Sequence, residues 1–528
     1  MPRPTTTAAW QSLRTLALAR DPASRQLSMQ AAEGCSIVAD FSRQHLSDAV
    51  MQALYALAQV QGVEAAREAQ FAGQKINVTE QQPVLHTALR DSLPLLVEGA
   101  DVNLLVQREL DKMHRFVDGI RSGLIRSITE EAFTDVVNIG IGGSSLGPRL
   151  ACEALAAFTD GPRVHFVSNV DGAQLVDTLK GLNPATTLIL VTSKTFTTDE
   201  TMTNARSAQQ WLDEKLGTES GVPASVLHLA AITASPAEAL RQGYREERIF
   251  EFWPWVGGRF SLWSTVGLPV AIAVGFSRFQ EMLDGARAMD KHFRTAPLTQ
   301  NLPVMLALVG IWNRNFLNVA SLALLPYSHR LRNFSKYAQQ LEMESNGKSV
   351  DREGQPINYA TCPIIFGEAG TDGQHSFHQL LHQGSDVVAA DIILVAADES
   401  KLTHHHDKLL ANGVAQADAL WFGRSVAASF DTHRSYVGGK PVTLLVLPTL
   451  NAYYLGALIA LYEHKVMVQG AIWNINSYDQ WGVDLGKKIA TSLLPLFAPH
   501  ATPTTADVAH LSTLLPLIRR LRDADCQT

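Results

Sequence analysis

The sequence predicts an α/β protein: two αβα sandwich domains with mostly parallel sheets, plus a helical N-terminal region and a helical C-terminal tail. Three observations carry this. From Asp135, short apolar runs alternate with longer amphipathic stretches, as parallel βαβ units in doubly wound sheets require. A second alternating set begins near residue 362. Residues 1–100 instead carry Ala, Leu and Gln at helical spacing. A chain of 528 residues has room for several domains. The expected division is a helical region (1–100), a smaller α/β domain with phosphate-binding loops (101–275), a larger α/β domain (276–500) and the tail (501–528).

In chain order, strands are expected at 136–139, 164–167, 188–191 and 227–232, with helices at 148–158, 172–181 and 199–216. A long helical stretch follows over about 262–345, with the break between domains near 270–290. Strands then recur at 362–366, 391–395 and 441–447, with helices at 372–383, 401–421 and 450–465. No repeat is visible, though the two halves can share one fold type. After residue 500, a Pro/Thr-rich joint (501–506) leads into a Leu-striped helix.

Bulk chemistry narrows the function. Hydrophobic content of 46% and charged content of 18% are ordinary for a soluble enzyme. A net charge of −7 leaves no general basic surface for nucleic acid, so any phosphate site is local. Cys35, Cys152, Cys362 and Cys526 are far apart with no metal-type spacing, which suits a reduced, cytoplasmic protein. Arg14 interrupts the apolar character of the first twenty residues, so no secretory signal is expected. Pro448, Thr449 and Asn451 divide the long uncharged span at 442–462 into a strand and a helix, which argues against a membrane span.

The segment Ser193-Lys194-Thr195-Phe196-Thr197-Thr198 follows a buried-type strand and runs into a helix start marked by Asp199 and Glu200. Hydroxyls, an ammonium and helix amides together form an anion cradle. A second such loop, Asn138-Ile139-Gly140-Ile141-Gly142-Gly143-Ser144-Ser145-Leu146-Gly147, also lies between a strand and a helix, with Pro148 suited to the first helical position. A dinucleotide reading fails because Ser145 replaces the third glycine and the next strand ends in Ser168-Asn169, not in an acid. No Walker pattern surrounds either loop.

Five further stretches bear on the chemistry. Gly257-Gly258-Arg259 exposes a guanidinium on a tight loop before a helix, suited to developing oxygen charge or to a hinge ion pair. In Gln340-Leu341-Glu342-Met343-Glu344-Ser345-Asn346-Gly347, two carboxylates two residues apart precede a helix stop; Glu344 is the candidate base, and a solvated helix end is the alternative. His375, at a loop-to-helix turn, suits acid–base work near neutrality. His404-His405-His406-Asp407 resembles a ligand set, but consecutive helical residues cannot face one ion, which favours a surface turn. Ser477 to Lys488 sets aromatics beside Gln480, Asp479 and Lys487, as a sugar ligand needs; a helix start packed by Trp481 is the alternative.

Together these motifs resemble the glucose-6-phosphate isomerase (phosphoglucose isomerase) family over roughly residues 50–495. Gly258-Arg259-Phe260-Ser261-Leu262-Trp263-Ser264 resembles one family signature. The stretch from Gly456 to Lys487, with Tyr462-Glu463-His464-Lys465 and Gln480-Trp481-Gly482-Val483, resembles the other. The resemblance implies sugar-isomerase-type domains and reversible interconversion of glucose 6-phosphate and fructose 6-phosphate, in glycolysis and gluconeogenesis, without metal or cofactor. It implies Glu344 as the proton-transferring carboxylate, His375 as the ring-opening group contributed across a homodimer interface, Lys487 as its helper and Arg259 as the charge stabiliser. Substrate contacts are implied at Gly143, Ser144, Ser193, Lys194, Thr195, Thr198, Gln340 and Gln480. Two departures stand out: Ser145 and Glu342 replace the Asp found in many relatives. A sugar-phosphate sensor would not need Glu344, His375 and Lys487; an isomerase acting on mannose or amino-sugar phosphates is separated less well.

Overall fold

The computed structural model describes residues 3–19, 31–219, 222–424, 432–497 and 514–525. Residues Met1–Tyr478 form one compact unit and Asp479–Thr528 a second.

Two sheets organise the first unit. The five-stranded sheet is entirely parallel, in the order Ile249–Glu251, Leu229–Thr233, Thr187–Thr192, Asp135–Ile139, Arg163–Val167. Every residue of Thr187–Thr192 and of Asp135–Ile139 is buried, as expected where helices cover both faces of a parallel sheet. In chain order this is 2-1-3-4-5, so the direction of winding reverses between Asp135–Ile139 and Thr187–Thr192. Ligands bind beyond the carboxyl ends of the strands at such a switch point.

The six-stranded sheet contains four parallel strands in the order Val442–Thr449, Val388–Ala397, Ser321–Pro326, Ile364–Phe366. Their winding is again 2-1-3-4, so the two halves share a topology that no sequence repeat announces.

Several expectations change. Residues 1–100 are not only helical: Ala31–Gly34 and Ile37–Arg43 form a hairpin that pairs antiparallel with Val442–Thr449. Ile37, Ala39 and Phe41 are buried on alternate positions, the period of a half-covered strand. The stretch 262–345 is broken by Ser321–Pro326, a central strand whose apolar run lies among equally apolar helices; periodicity cannot separate these in so short a segment. Pro148 is not at a first helical position, because the helix begins at Gly143. Its missing N–H would release the Ser144 carbonyl, and that oxygen accepts from Asn138 Nδ2 at 3.1 Å. His404, His405 and His406 lie in the first turn of the helix Thr403–Phe422, not in a surface turn.

The helix Ala452–Ile472 is buried along nearly its whole length, with Asn451 capping Tyr454 N at 3.0 Å. Among the described residues no helix is long and apolar enough to cross a membrane, and Cys35, Cys152 and Cys362 are free thiols. In the second unit, the turn Trp481–Val483 leads into the helix Asp484–Leu493, and a further helix spans Leu514–Asp525. Trp481 is 58% exposed, so it does not pack this helix start. The joint at 501–506 and Cys526 lie outside the described residues.

Candidate active site

Four segments of the first unit converge at the switch point. The loop after Asp135–Ile139 turns into its helix at Gly143, and a Cβ there would lie 2.0 Å from the Gly258 carbonyl oxygen. Only glycine admits this backbone-to-backbone approach, which sets the first anion loop against the segment carrying Arg259. Asn138, fully buried, ties the same loop to the next strand: its Nδ2 donates to Ser144 O, and its Oδ1 accepts from Thr192 Oγ1 at 3.1 Å.

The second anion loop, 193–198, is pinned from below. Phe196 adopts φ +56 and is fully buried, edge-on to Tyr244 with ring centroids 5.0 Å apart. A left-handed non-glycine backbone costs roughly 1–2 kcal/mol, which burial of an aromatic side chain offsets. Above it, Ser193 and Thr198 share a hydrogen bond of 3.0 Å, and Thr197 Oγ1 donates to Thr195 Oγ1 at 2.8 Å. Thr198 is the N-cap of Asp199–Leu216 but makes no side-chain cap bond. The first-turn amides therefore remain available to an outside acceptor.

Lys194 does two things. Its Nζ donates to Pro254 O at 2.7 Å and Val256 O at 3.2 Å, bracing the third segment, 252–260. An ammonium has three donors, so one remains for a ligand. Burial pushes its pKa down; nearby Glu80 opposes this and Arg259 adds to it. The electrostatic link to Arg259 places the two cations in one field.

The fourth segment is a π-helical turn, Gln339–Glu344, that continues the helix Phe334–Ala338. Such turns concentrate at functional sites. Residues two apart on a helix point to opposite sides, and the two carboxylates separate accordingly. Glu342 is completely buried and accepts from Lys465 Nζ at 2.6 Å. Burial raises its pKa, against the pull of Lys465. Glu344 is 22% exposed in its side chain and pairs with Arg259 NH1 at 3.2 Å. Arg259 also donates to Ser345 Oγ and to the Ser477 carbonyl, each at 2.6 Å. Gln340 lies against the first loop, its Nε2 3.0 Å from where a Gly142 Cβ would sit, and its buried Oε1 has no hydrogen-bond partner among the described residues.

The structure thus brings together Gly143, Ser144, Ser193, Lys194, Thr195, Thr198, Arg259, Gln340 and Glu344. His375, in the same unit, is not among them. It is exposed at the end of the turn Asp372–His375, with no side-chain hydrogen bond or ion pair among the described residues. Gln480 and Lys487 belong to the second unit; both are exposed, Lys487 on the helix Asp484–Leu493. Among the described residues no group of three or more His, Cys, Asp or Glu could hold a metal ion.

Sequence reasoning missed the buried charges beneath the site. Arg90 grips Asp290 through two bonds of 2.7 and 2.6 Å and reaches Glu463 at 2.7 Å; Trp263 Nε1 also donates to Glu463, at 2.8 Å. His464 Nε2 meets Asp290 at 2.7 Å. The segments 258–264 and 456–477 are therefore joined through Trp263–Glu463 and Arg259–Ser477. The available signal was three consecutive ionisable residues, Glu463-His464-Lys465, inside an apolar helix, where each needs a partner.

Comparisons with known proteins place the chain among relatives of one family. The family described as Phosphoglucose isomerase matches residues 40–512. A glucose-6-phosphate isomerase of Rhizobium meliloti (strain 1021) is 47% identical over 502 residues, covering 92% of each chain. One of Brucella ovis (strain ATCC 25840 / 63/290 / NCTC 10512) is 49% identical over 476 residues, 87% of this chain and 86% of that one. The crystal structure of a glucose-6-phosphate isomerase from Chlamydia trachomatis D/UW-3/Cx superposes with a TM-score of 0.86 at 33% identity, over 97% of this chain and 99% of that chain.

Proposed function

The chain belongs to the phosphoglucose isomerase family and is an aldose–ketose isomerase, and we propose that it interconverts glucose 6-phosphate and fructose 6-phosphate with Glu344 as the proton carrier. The observation that carries this reading is the Glu344–Arg259 pair beside two anion-type loops at the switch point of a parallel sheet. The phosphate docks on Ser144, Ser193, Lys194, Thr195 and Thr198, with Gly143 holding the loop and Gln340 and Gln480 contacting the sugar. His375 and Lys487 open the ring by moving a proton between the ring oxygen and the hydroxyl. Glu344 then takes the proton from C2 and returns it to C1, through a cis-enediolate whose oxygen charge Arg259 neutralises.

The roles of His375 and Lys487 rest on the resemblance of Gly373-Gln374-His375 and Gly486-Lys487 to the family motifs. In this reading His375 serves the neighbouring subunit of a homodimer, which its exposure and the absence of a side-chain hydrogen bond or ion pair among the described residues support. A place in glycolysis and gluconeogenesis and a cytoplasmic location complete the proposal.

A positioned general base contributes roughly 10²–10⁴-fold. Glu344→Gln should lose at least 100-fold in kcat, with the fold intact, in an assay coupled to glucose-6-phosphate dehydrogenase. Near-normal turnover would reject the assignment.

A further inference from the structure

We propose that the amino edge of the five-stranded sheet carries a second anion site, built around Arg248, which takes a small polyanion bearing phosphate or carboxylate groups. The site is a cleft of about 450 Å³. Its basic lining is Lys112 and Arg115 from the helix Val102–Ser122, with Arg245 and Arg248 from the turn that precedes Ile249–Glu251. Phe116, Ile125 and Leu227 supply apolar walls.

Four cations face a single acid there, Glu247, which is already paired with Arg245 at 2.5 Å. In a chain of net charge −7 this is a concentrated positive field. The floor is the informative part. Arg248 is 7% exposed, and its NH1 has no hydrogen-bond partner among the described residues. A buried guanidinium group left unsatisfied is costly. An oxyanion presented from the cleft would meet the planar donors that suit phosphate and carboxylate. Burial, followed by the charge of Arg245, pushes the Arg248 pKa down to about 10, against the pull of Glu247. Arg115, exposed on the rim, has no side-chain hydrogen bond or ion pair among the described residues. Lys112 anchors the opposite lip through the Glu246 and Ile249 carbonyls, at 3.1 and 2.6 Å.

The location separates this cleft from the proposed substrate site. Arg248 and Leu227 lie just before their strands, whereas the loops 140–147 and 193–198 follow theirs. Five strand residues at about 3.3 Å each put roughly 17 Å between the two edges. Occupancy of one edge therefore leaves the other open, and a ligand here does not compete with substrate.

Isothermal titration of the full-length protein at low salt, with inorganic pyrophosphate and separately with citrate, tests the proposal. Wild type should bind pyrophosphate in two events. Arg115→Ala/Arg245→Ala, both exposed positions, should weaken one event at least tenfold and leave kcat/KM within twofold. Lys194→Ala should weaken the other event and spare this one. Citrate binding that the double variant abolishes would identify a carboxylate-accepting site; pyrophosphate alone would identify a phosphate site. A single event removed by Lys194→Ala, or two events indifferent to the double variant, would overturn the proposal. Arg248→Met gives an independent reading, because loss of an unpaired buried charge should leave the melting temperature unchanged or higher while abolishing this event. A lower melting temperature with binding retained would also refute the site.

Discussion

Lys465→Met removes the ammonium that faces Glu342 inside the core while keeping nearly the length of the side chain. The two groups meet at 2.6 Å with side-chain exposures of 2% and 0%. Lys465 also holds down the pKa of Asp391, which, like Glu342, burial pushes up. Without the cation, two carboxyls stay buried and must take up protons. Breaking a buried pair by removing one partner costs about 3–5 kcal/mol. For the compact unit Met1–Tyr478, an unfolding entropy of roughly 2.1 cal/mol/K per residue gives about 1 kcal/mol per degree. The melting temperature should therefore fall by about 3–5 °C. Because Glu342 sits two residues before Glu344, turnover should fall as well. Lys465→Met/Glu342→Met removes both charges, and a hydrophobic pair in place of a buried ion pair is often neutral or stabilising. Its melting temperature should recover more than half of the loss, the remainder reflecting Asp391, which still lacks its cation, while kcat stays depressed because the π turn has lost its anchor. Scanning calorimetry and the coupled assay on the same preparations check both parts. A single variant that melts within 1 °C of wild type, or a double variant that recovers nothing, would refute the reasoning.

Gly143→Ala must drive the Gly258 carbonyl aside, since the new methyl would start 2.0 Å from it; displacement of about 1 Å at a reacting site costs on the order of 10²-fold, so kcat/KM in the coupled assay should fall about 100-fold, and wild-type turnover would contradict the packing argument. Lys194→Ala should raise the dissociation constant of phosphorylated ligands at least tenfold by titration and leave that of an unphosphorylated sugar unchanged; equal affinity for the phosphorylated ligand would remove Lys194 from the phosphate site. Burial holds the Glu463 carboxyl up to about 7 even though Arg90 pulls it down. A carboxyl raised by folding contributes fully below its unfolded value near 4.5 and loses that contribution as pH rises through 7, a change of roughly 3 kcal/mol. Melting curves should show a steeper decline from pH 5 to 8 in wild type than in Glu463→Gln; parallel declines would place the titration elsewhere.

What could be read from the chain follows from how each element is stabilised. Thr187–Thr192 and Asp199–Leu216 stand out because a β-rich apolar run meets a polar loop and then acidic first-turn residues, all local signals. The anion loops are legible as hydroxyls, an ammonium or glycines between a strand and a helix start, and the choice of Glu344 over Glu342 from motif position. The reason for that choice is visible only in three dimensions, where Lys465, 123 residues away, claims Glu342. Ser321–Pro326 was hidden because its stability comes from neighbours on both sides, Val388–Ala397 and Ile364–Phe366, and not from its own pattern. The hairpin at residues 31–43 was hidden for a similar reason, since its partner strand lies some 400 residues later. Phe196 and Asn138 escaped notice because an aromatic or an amide in a polar loop carries no mark of the contact it will make.

The buried charges explain why so much of the second signature lies beneath the site and not in it. Glu463 accepts from Trp263 and Arg90, and Lys465 donates to Glu342. The Trp263–Glu463 and Glu342–Lys465 pairs link the helix Ala452–Ile472 to segments beside the candidate site. Trp263 lies four residues after Arg259, and Glu342 two before Glu344. Hydrophobic packing alone would let these segments slide by a fraction of an ångström, whereas charge-assisted hydrogen bonds of 2.6–2.8 Å fix direction as well as distance. Arg259, itself 1% exposed, is then held by a hydroxyl, a carbonyl and a carboxylate on two different segments. A guanidinium fixed in this way needs no reorganisation when charge develops on a neighbouring oxygen, which is the condition for electrostatic stabilisation of a transition state. On this argument the cost of burying Glu342, Glu463 and their partners is offset not in stability but in the placement of Arg259 and Glu344. That is why removing both charges of the Lys465–Glu342 pair should recover most of the melting temperature without restoring turnover.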